Sequence, residues 1–268
     1  MADFQILVRN KSGTRRQYFL FVETPTVTSG AQVFQNVYAT AAPVPDQTGT
    51  AKFVLKKDYF AVTGTSPGQK LGSGVNVSTT DFEIAKIAQG PKLGSTVYMT
   101  AGTNPPGKGA EFVDGLLEQK TSTPGSFTIS TDGSFQLSNG ANQFIGLGGQ
   151  DPYDPSNIIP IATFEAEPNT TSIITPKSKY YVSWGTFTPG QIIDVTTIAT
   201  VSLAQVGKIT RNSQYASLLR STSPARLPLW PRCSTTTMAL GLPPSTRVLE
   251  SVRRMWWCLS VAVDFVVS

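Results

Sequence analysis

Hydrophobic and polar residues alternate along most of the first 205 residues, which is typical of β-strands. Phe4, Ile6 and Val8 recur at every second position, so a strand over these residues would bury one face and expose the other. Residues 18–22 (YFLFV) are apolar on both faces, which predicts a central strand covered on both sides. The same criteria predict about a dozen strands in all. The remaining predicted strand ranges are 33–39, 51–62, 75–87 (two short strands), 96–100, 127–130 with 135–137, 142–147, 160–166, 172–175, 179–184, 192–195 and 199–203.

The predicted strands are joined by turns, and no long amphipathic helix interrupts them. Asp132-Gly133 lies between two apolar runs, as in a β-hairpin. Residues 111–120 could form a helical turn, although Gly115 weakens that interpretation. Lys56 and Lys57 are interpreted as solvated residues within the strand 51–62. The prediction is therefore an all-β fold, a two-sheet antiparallel β-sandwich with a β-barrel as the alternative.

The strand pattern ends near Lys208 and the composition changes there. Residues 1–207 contain 14 Lys and Arg against 15 Asp and Glu, whereas residues 208–268 contain 8 against 2. Five prolines interrupt this basic tail, and no periodicity persists in it. We predict a single β-sandwich domain over 1–207 and a poorly structured tail over 208–268, interpreted as disordered or as non-native sequence from a retained intron or frameshift. A functional basic arm is the alternative.

The absence of histidine limits the chemistry that the chain can perform. Histidine is the commonest general base near neutral pH and a common metal ligand, and the chain has none. Both cysteines, Cys233 and Cys258, lie in the tail. Ser-His-Asp and Cys-His catalysis, histidine-ligated metal sites and cysteine-ligated zinc are therefore excluded from residues 1–207. We predict no cofactor, no metal and no catalytic residues.

A glycine- and aspartate-rich segment, 146–155, is the most distinctive candidate site. Its glycines would let the backbone approach a ligand, and its carboxylates could bind calcium or sugar hydroxyls. A plain β–β connection is the alternative interpretation. The candidate ligand-binding residues of this segment are Gly148, Gly149, Asp151, Tyr153 and Asp154.

Two further groups complete the candidate site. Glu165 and Glu167 would lie on the same side of one strand, as paired carboxylates do in glycosidases, or else form its solvent face. Trp184 belongs to an aromatic run with Tyr180 and Tyr181 that could stack on a sugar. Because side chains alternate along a strand, Tyr180 and Trp184 would face away from Tyr181, and a role in the core is the alternative.

Several short sequence runs within residues 1–203 carry a resemblance to known proteins. The runs are 10–13 with 18–21, 33–39, 59–62, 144–148, 160–164, 180–182 and 190–195. Through them, residues 1–203 resemble a group of small β-rich proteins of filamentous fungi that has no established activity. Because these runs are not catalytic motifs, the resemblance implies a β-rich fold and no active-site residues.

These observations favour a non-enzymatic β-sandwich protein that binds a small ligand, a glycan or a partner protein through its loops. The alternative is a metal-free accessory enzyme that uses carboxylates, with a role in fungal secondary metabolism. No nucleic-acid partner is expected for residues 1–207, because they are nearly neutral. The sequence shows no transmembrane span and no secretory signal, which predicts a cytoplasmic location with unconventional export as the alternative.

Overall fold

The computed structural model describes residues 4–66, 68–103, 109–113, 120–198, 201–205 and 262–266; for residue 4 and the last two ranges it describes only the backbone. Strands dominate these residues, and their only helix is one 3₁₀ turn at Leu137–Asn139. In chain order the strands are β1 (Phe4–Arg9), β2 (Tyr18–Val22), β3 (Thr26–Val27), β4 (Phe34–Asn36), β5 (Ala39–Thr40), β6 (Thr50–Leu55), β7 (Tyr59–Thr65), β8 (Asp81–Ala85), β9 (Thr96–Thr100), β10 (Glu111–Phe112), β11 (Phe127–Thr131), β12 (Gln143–Gln150), β13 (Ile158–Glu165), β14 (Thr171–Thr175), β15 (Lys179–Trp184), β16 (Ile192–Ile193), β17 (Val201–Gln205) and β18 (Ala262–Val266).

The described strands form four hydrogen-bonded sheets. The largest has the order β16-β4-β13-β12-β7-β8, and the others are β10-β9-β11-β14-β3, β17-β15-β2-β5 and β18-β1-β6. Every pairing is antiparallel except that of β9 with β11, which is parallel. None of the four sheets closes on itself in the part of the chain that the structure describes.

One apolar core joins all four sheets. It takes Phe53 from the sheet of β6, Leu20 from that of β2, Phe127 from that of β11, and Leu147 and Phe164 from the largest sheet. All five residues of β2 are buried, because its outward phenylalanines enter a second, smaller apolar cluster. The prediction of an all-β sandwich with a central strand at 18–22 is therefore confirmed. The sheets number four rather than two, and one pair is parallel.

Five local predictions differ from the structure. The predicted strand 33–39 is interrupted at residues 37–38, between β4 and β5. The predicted strand 51–62 is two strands, since residues 56–58 separate β6 from β7. The predicted hairpin around Asp132-Gly133 does not form: β11 pairs with β9 and β14, and the chain then enters a 3₁₀ turn. One strand, β8, stands where two were predicted over 75–87. Glu111 and Phe112 form a strand instead of the start of a helical turn, the rest of which includes residues 114–119, outside the described residues.

The tail contributes one described strand. The backbone of β18 pairs antiparallel with β1, with Val8 opposite Val263 and Ile6 opposite Phe265, and it belongs to the same compact unit as β1–β17. Residues 206–261 lie outside the described residues, so the predicted division at residue 207 and the nature of the tail stay predictions. No described helix is long and apolar enough to cross a membrane.

Candidate functional site

The predicted glycine- and aspartate-rich loop is shorter than expected, because its first half is strand. Residues up to Gln150 belong to β12, and a turn over residues 151–157 leads into β13. The carboxylate of Asp151 accepts a hydrogen bond from the backbone N–H of Tyr153 (2.8 Å). Asp154 accepts two from Ser156, one from its backbone N–H (3.1 Å) and one from its hydroxyl (2.6 Å). Both carboxylates therefore stabilise their own turn.

The same interactions set the electrostatics of the turn. The hydrogen bonds from Ser156 hold the pKa of the Asp154 carboxyl below its usual value. Burial, and then the nearby charge of Asp151, raise the pKa of the Tyr153 phenol. That phenol donates a hydrogen bond to the carbonyl of Lys52 (3.0 Å) although the residue is 58% exposed. The Tyr153 ring is thus anchored at its hydroxyl and presents a face to solvent.

Gly148 and Gly149 lie in the buried part of β12 rather than in the loop. A Cβ at Gly148 would lie 2.4 Å from Cγ1 of Val62, and one at Gly149 would lie 2.7 Å from Cδ1 of Ile161 and 2.9 Å from the hydroxyl of Tyr38. These distances are too short for real Cβ contacts. Close packing of neighbouring side chains accounts for both glycines.

Glu165 and Glu167 are both exposed and flank the buried Ala166, as the alternation predicts. They lie far from the turn of Asp151. The β12–β13 ladder runs from Gln150 opposite Ile158 to Phe144 opposite Glu165, which separates the two ends by about 23 Å at the usual rise of a strand. The structure therefore does not bring the four candidate carboxylates together.

The aromatic run is divided between two faces of β15, as the alternation predicts. Tyr180 is buried in the main core, and Trp184 packs against that core with the Arg16 guanidinium 4.6 Å from its ring centroid. On the other face, the Tyr181 ring lies 5.2 Å from that of Phe21. Trp184 and Tyr181 therefore form no common platform.

A concave site exists elsewhere, at the base of β7 and the end of β8. This open cavity of about 550 Å³ lies within the usual size range of small-molecule sites. We call it the tyrosine cavity, since two phenols, Tyr59 and Tyr180, line it. Its other lining residues are Lys57, Asp58, Ile84, Ala85, Lys86, Ile87, Gln89 and Ser178.

The phenols of the tyrosine cavity act as hydrogen-bonding groups near neutral pH, not as bases. Burial raises the pKa of Tyr59 and raises that of Tyr180 well above its usual value. Tyr38, whose hydroxyl donates to the carbonyl of Gln150 (2.6 Å), adds to the shift at Tyr180. The phenols therefore stay protonated, and Asp58 is the only carboxylate among the described residues that line the cavity.

A second cavity, of about 570 Å³, lies beside a β-turn hairpin over residues 86–95. Gln89 and Lys92 exchange backbone hydrogen bonds across the turn, and Lys86 and Ser95 pair at its base. We call it the lysine cavity, because three lysines line it. The lining residues are Lys86, Pro91, Lys92, Leu93, Gly94, Ser95, Thr96 and Lys120.

None of the predicted ligand-binding residues lines either cavity, and Tyr180 enters the sequence prediction only as a member of the aromatic run with Trp184. The charged residues 56–58 predict solvated turn or edge positions within one strand over 51–62. The charged triplet 56–58 is in fact the connection between β6 and β7, so Lys57 lies in that connection and Tyr59 is the first residue of β7. The lysines of 86–95 carry no local signal, since the fold brings them to the cavities.

No group of three or more potential metal-binding side chains occurs in the described ranges. Comparison with known protein families matches residues 2–210 to the RhiA family. No curated protein and no solved structure matches the chain. The matched segment includes β1–β17 and coincides closely with the predicted β-domain, whereas β18 lies beyond it. The chain belongs to the RhiA family.

Proposed function

We propose that this RhiA-family protein is a non-enzymatic binding protein that holds a small polar ligand or glycan in the tyrosine cavity. The observation that carries the proposal is the lining of that cavity: two protonated phenols, two lysines, an amide and a hydroxyl surround an open concavity of ligand size. The half-buried Tyr59 ring supplies apolar area for a sugar face, and the polar groups supply hydrogen bonds to its hydroxyls.

The arrangement of carboxylates supports binding over catalysis. Glycoside hydrolysis needs two carboxyl groups within about 5–9.5 Å of each other. Glu165 and Glu167 are close enough to each other but are both exposed and line neither cavity, and Asp58 is the only described carboxylate in the tyrosine cavity. A metal-free enzyme would have to work with that single group.

A fungal source, a cytoplasmic location and a role in secondary metabolism were predicted from the sequence and stay predictions. A partner protein is a second candidate ligand, favoured by the edge strand β8. Its Phe82 and Ile84 are 43% and 61% exposed on the same face, and exposed apolar pairs of this kind are common in protein interfaces.

The test is a thermal-shift screen of glycans and metabolites with the full-length chain. A ligand of the native state should raise the unfolding midpoint. We expect the double variant Tyr59→Phe, Lys57→Gln to lose the rise in unfolding midpoint that a binding compound causes. The control is Lys52→Gln, which replaces an exposed lysine outside the cavity and should keep that rise. If Asp151→Asn and Asp154→Asn abolished the rise in unfolding midpoint instead, the binding site would lie at the β12–β13 turn. If the wild-type protein converted a binding compound chemically and the Asp58→Asn variant did not, the protein would be an enzyme.

A further inference from the structure

The tyrosine cavity and the lysine cavity meet at one residue. Lys86 lines both. It follows β8 directly, and its backbone is fixed by two bonds with Ser95: its N–H donates to the Ser95 hydroxyl (2.9 Å), and its carbonyl accepts from the Ser95 N–H (2.8 Å). The backbone at this junction is therefore held in place, while the exposed ammonium group is carried between the two concavities.

The charge around these cavities is mainly positive. The described charged residues that line them are four lysines and one acid: Lys57, Lys86, Lys92, Lys120 and Asp58. This local excess occurs in a domain whose residues 1–207 carry one more acid than base. The attraction for an anion is thus concentrated at this surface rather than spread over the domain.

From this juxtaposition we propose that the two cavities form one basic groove for an anionic oligosaccharide, a chain of sugar units that carry carboxylate or sulfate groups. The inference rests on the proposed function of the tyrosine cavity and extends it to a ligand class. One sugar unit lies against Tyr59, beside the buried Tyr180. The following units pass Lys86 into the lysine cavity, where Lys92 and Lys120 pair with their anionic groups.

The distribution of aromatic groups favours an oligosaccharide over single-stranded nucleic acid. Sequence-tolerant nucleic-acid grooves combine basic residues with repeated aromatic side chains on which successive bases stack. Here both aromatic residues lie in the tyrosine cavity, and none of the described residues lining the lysine cavity is aromatic. The lysine cavity places its ammonium groups beside the half-buried Ser95, which suits acidic units.

Calorimetric titration of the full-length chain tests the groove with probes matched in length: hexameric oligogalacturonate, a sulfated hexasaccharide, neutral cellohexaose, and an oligonucleotide of similar charge. We expect at least one acidic hexasaccharide to bind about tenfold or more tighter than the neutral one, and to weaken as salt rises from about 50 to 300 mM. The two acidic probes decide between carboxylate and sulfate. Equal binding of the oligonucleotide would overturn the proposal, because it would show unspecific attraction to polyanions.

Variants then locate the binding. Lys92→Gln with Lys120→Gln should weaken the acidic hexamer about fivefold or more and leave the acidic dimer unchanged, since a dimer fills only the tyrosine cavity. Lys11→Gln with Lys70→Gln removes two exposed lysines outside both cavities and should have no effect. The basic tail is present in every variant, so its contribution cancels. An equal loss of affinity for the acidic hexamer in both double variants would contradict the proposed groove.

The two proposals fail differently. If acidic and neutral hexamers bind equally and both weaken with Tyr59→Phe and Lys57→Gln, the anionic groove is wrong and the sugar-binding tyrosine cavity stands. If no oligosaccharide binds, the groove is wrong, and the thermal-shift screen alone decides the function of the tyrosine cavity.

Discussion

At the scale of the residue, the glycines of β12 show that a position that must be glycine for close packing can look, in the sequence, like part of a ligand site. A run of glycine before two aspartates is what a backbone-mediated binding loop would contain. In the structure, Gly148 and Gly149 are buried, and the space beside them is filled by Val62, Ile161 and the hydroxyl of Tyr38. The absence of a side chain lets these neighbours pack against the strand.

Replacing Gly149 by alanine tests that role. The new Cβ would lie 2.7 Å from Ile161 and 2.9 Å from the Tyr38 hydroxyl, so both must move, and we expect a loss of about 1–3 kcal/mol in the free energy of unfolding. Urea denaturation measures it. Gly72→Ala is the matched control, because only one atom, 4.0 Å away, approaches its Cβ. Unchanged stability with a loss of glycan binding would instead return Gly149 to a ligand site.

At the scale of the element, the alternation of residues predicted strands well and their partners poorly. The bounds of β1, β2, β9 and β15 agree with the sequence prediction, since their burial follows from local periodicity. The hairpin predicted to follow β11 does not form, because Gly133 lacks the positive φ that a tight Asp-Gly hairpin turn requires. Asp132 instead accepts a hydrogen bond from the N–H of Ser134. The cavities were missed for a related reason: their residues come from separate strands and loops that only the fold brings together.

The pairing of β18 with β1 is a second property that periodicity could not reveal. We expect Val263→Pro with Asp264→Pro to break it, because successive N–H groups point to opposite edges of a strand and one of the two prolines must remove a donor facing β1. Amide hydrogen exchange in residues 4–9 should then accelerate about tenfold or more. Val263→Thr with Asp264→Thr keeps both N–H groups and favours a strand, so it should leave exchange slow. Equal exchange in both variants would show that the tail strand does not protect β1.

At the scale of the whole molecule, one core connects every sheet, and this connection predicts cooperative unfolding. Phe53 is fully buried in that core, and its replacement by alanine should cost about 3–5 kcal/mol. Because the sheets share the core, the transitions seen by near-ultraviolet and far-ultraviolet circular dichroism should shift together. Phe82→Ala, at a side chain 43% exposed, should cost much less. Two separated transitions would mean that the sheets unfold independently.

The β18–β1 pairing also has a consequence during synthesis. The ribosome releases β1 about 250 residues before β18, an interval of roughly 12–50 s at ordinary elongation rates. During that time β6 can pair with one edge of β1, while the other edge stays unpaired because β18 has not yet been synthesised. The unpaired edge of β1 can form backbone hydrogen bonds with any nearby extended segment, including one in a second chain being synthesised on the same messenger RNA. Yield from cells should therefore depend on translation speed and on chaperones more than the stability of the finished fold would suggest.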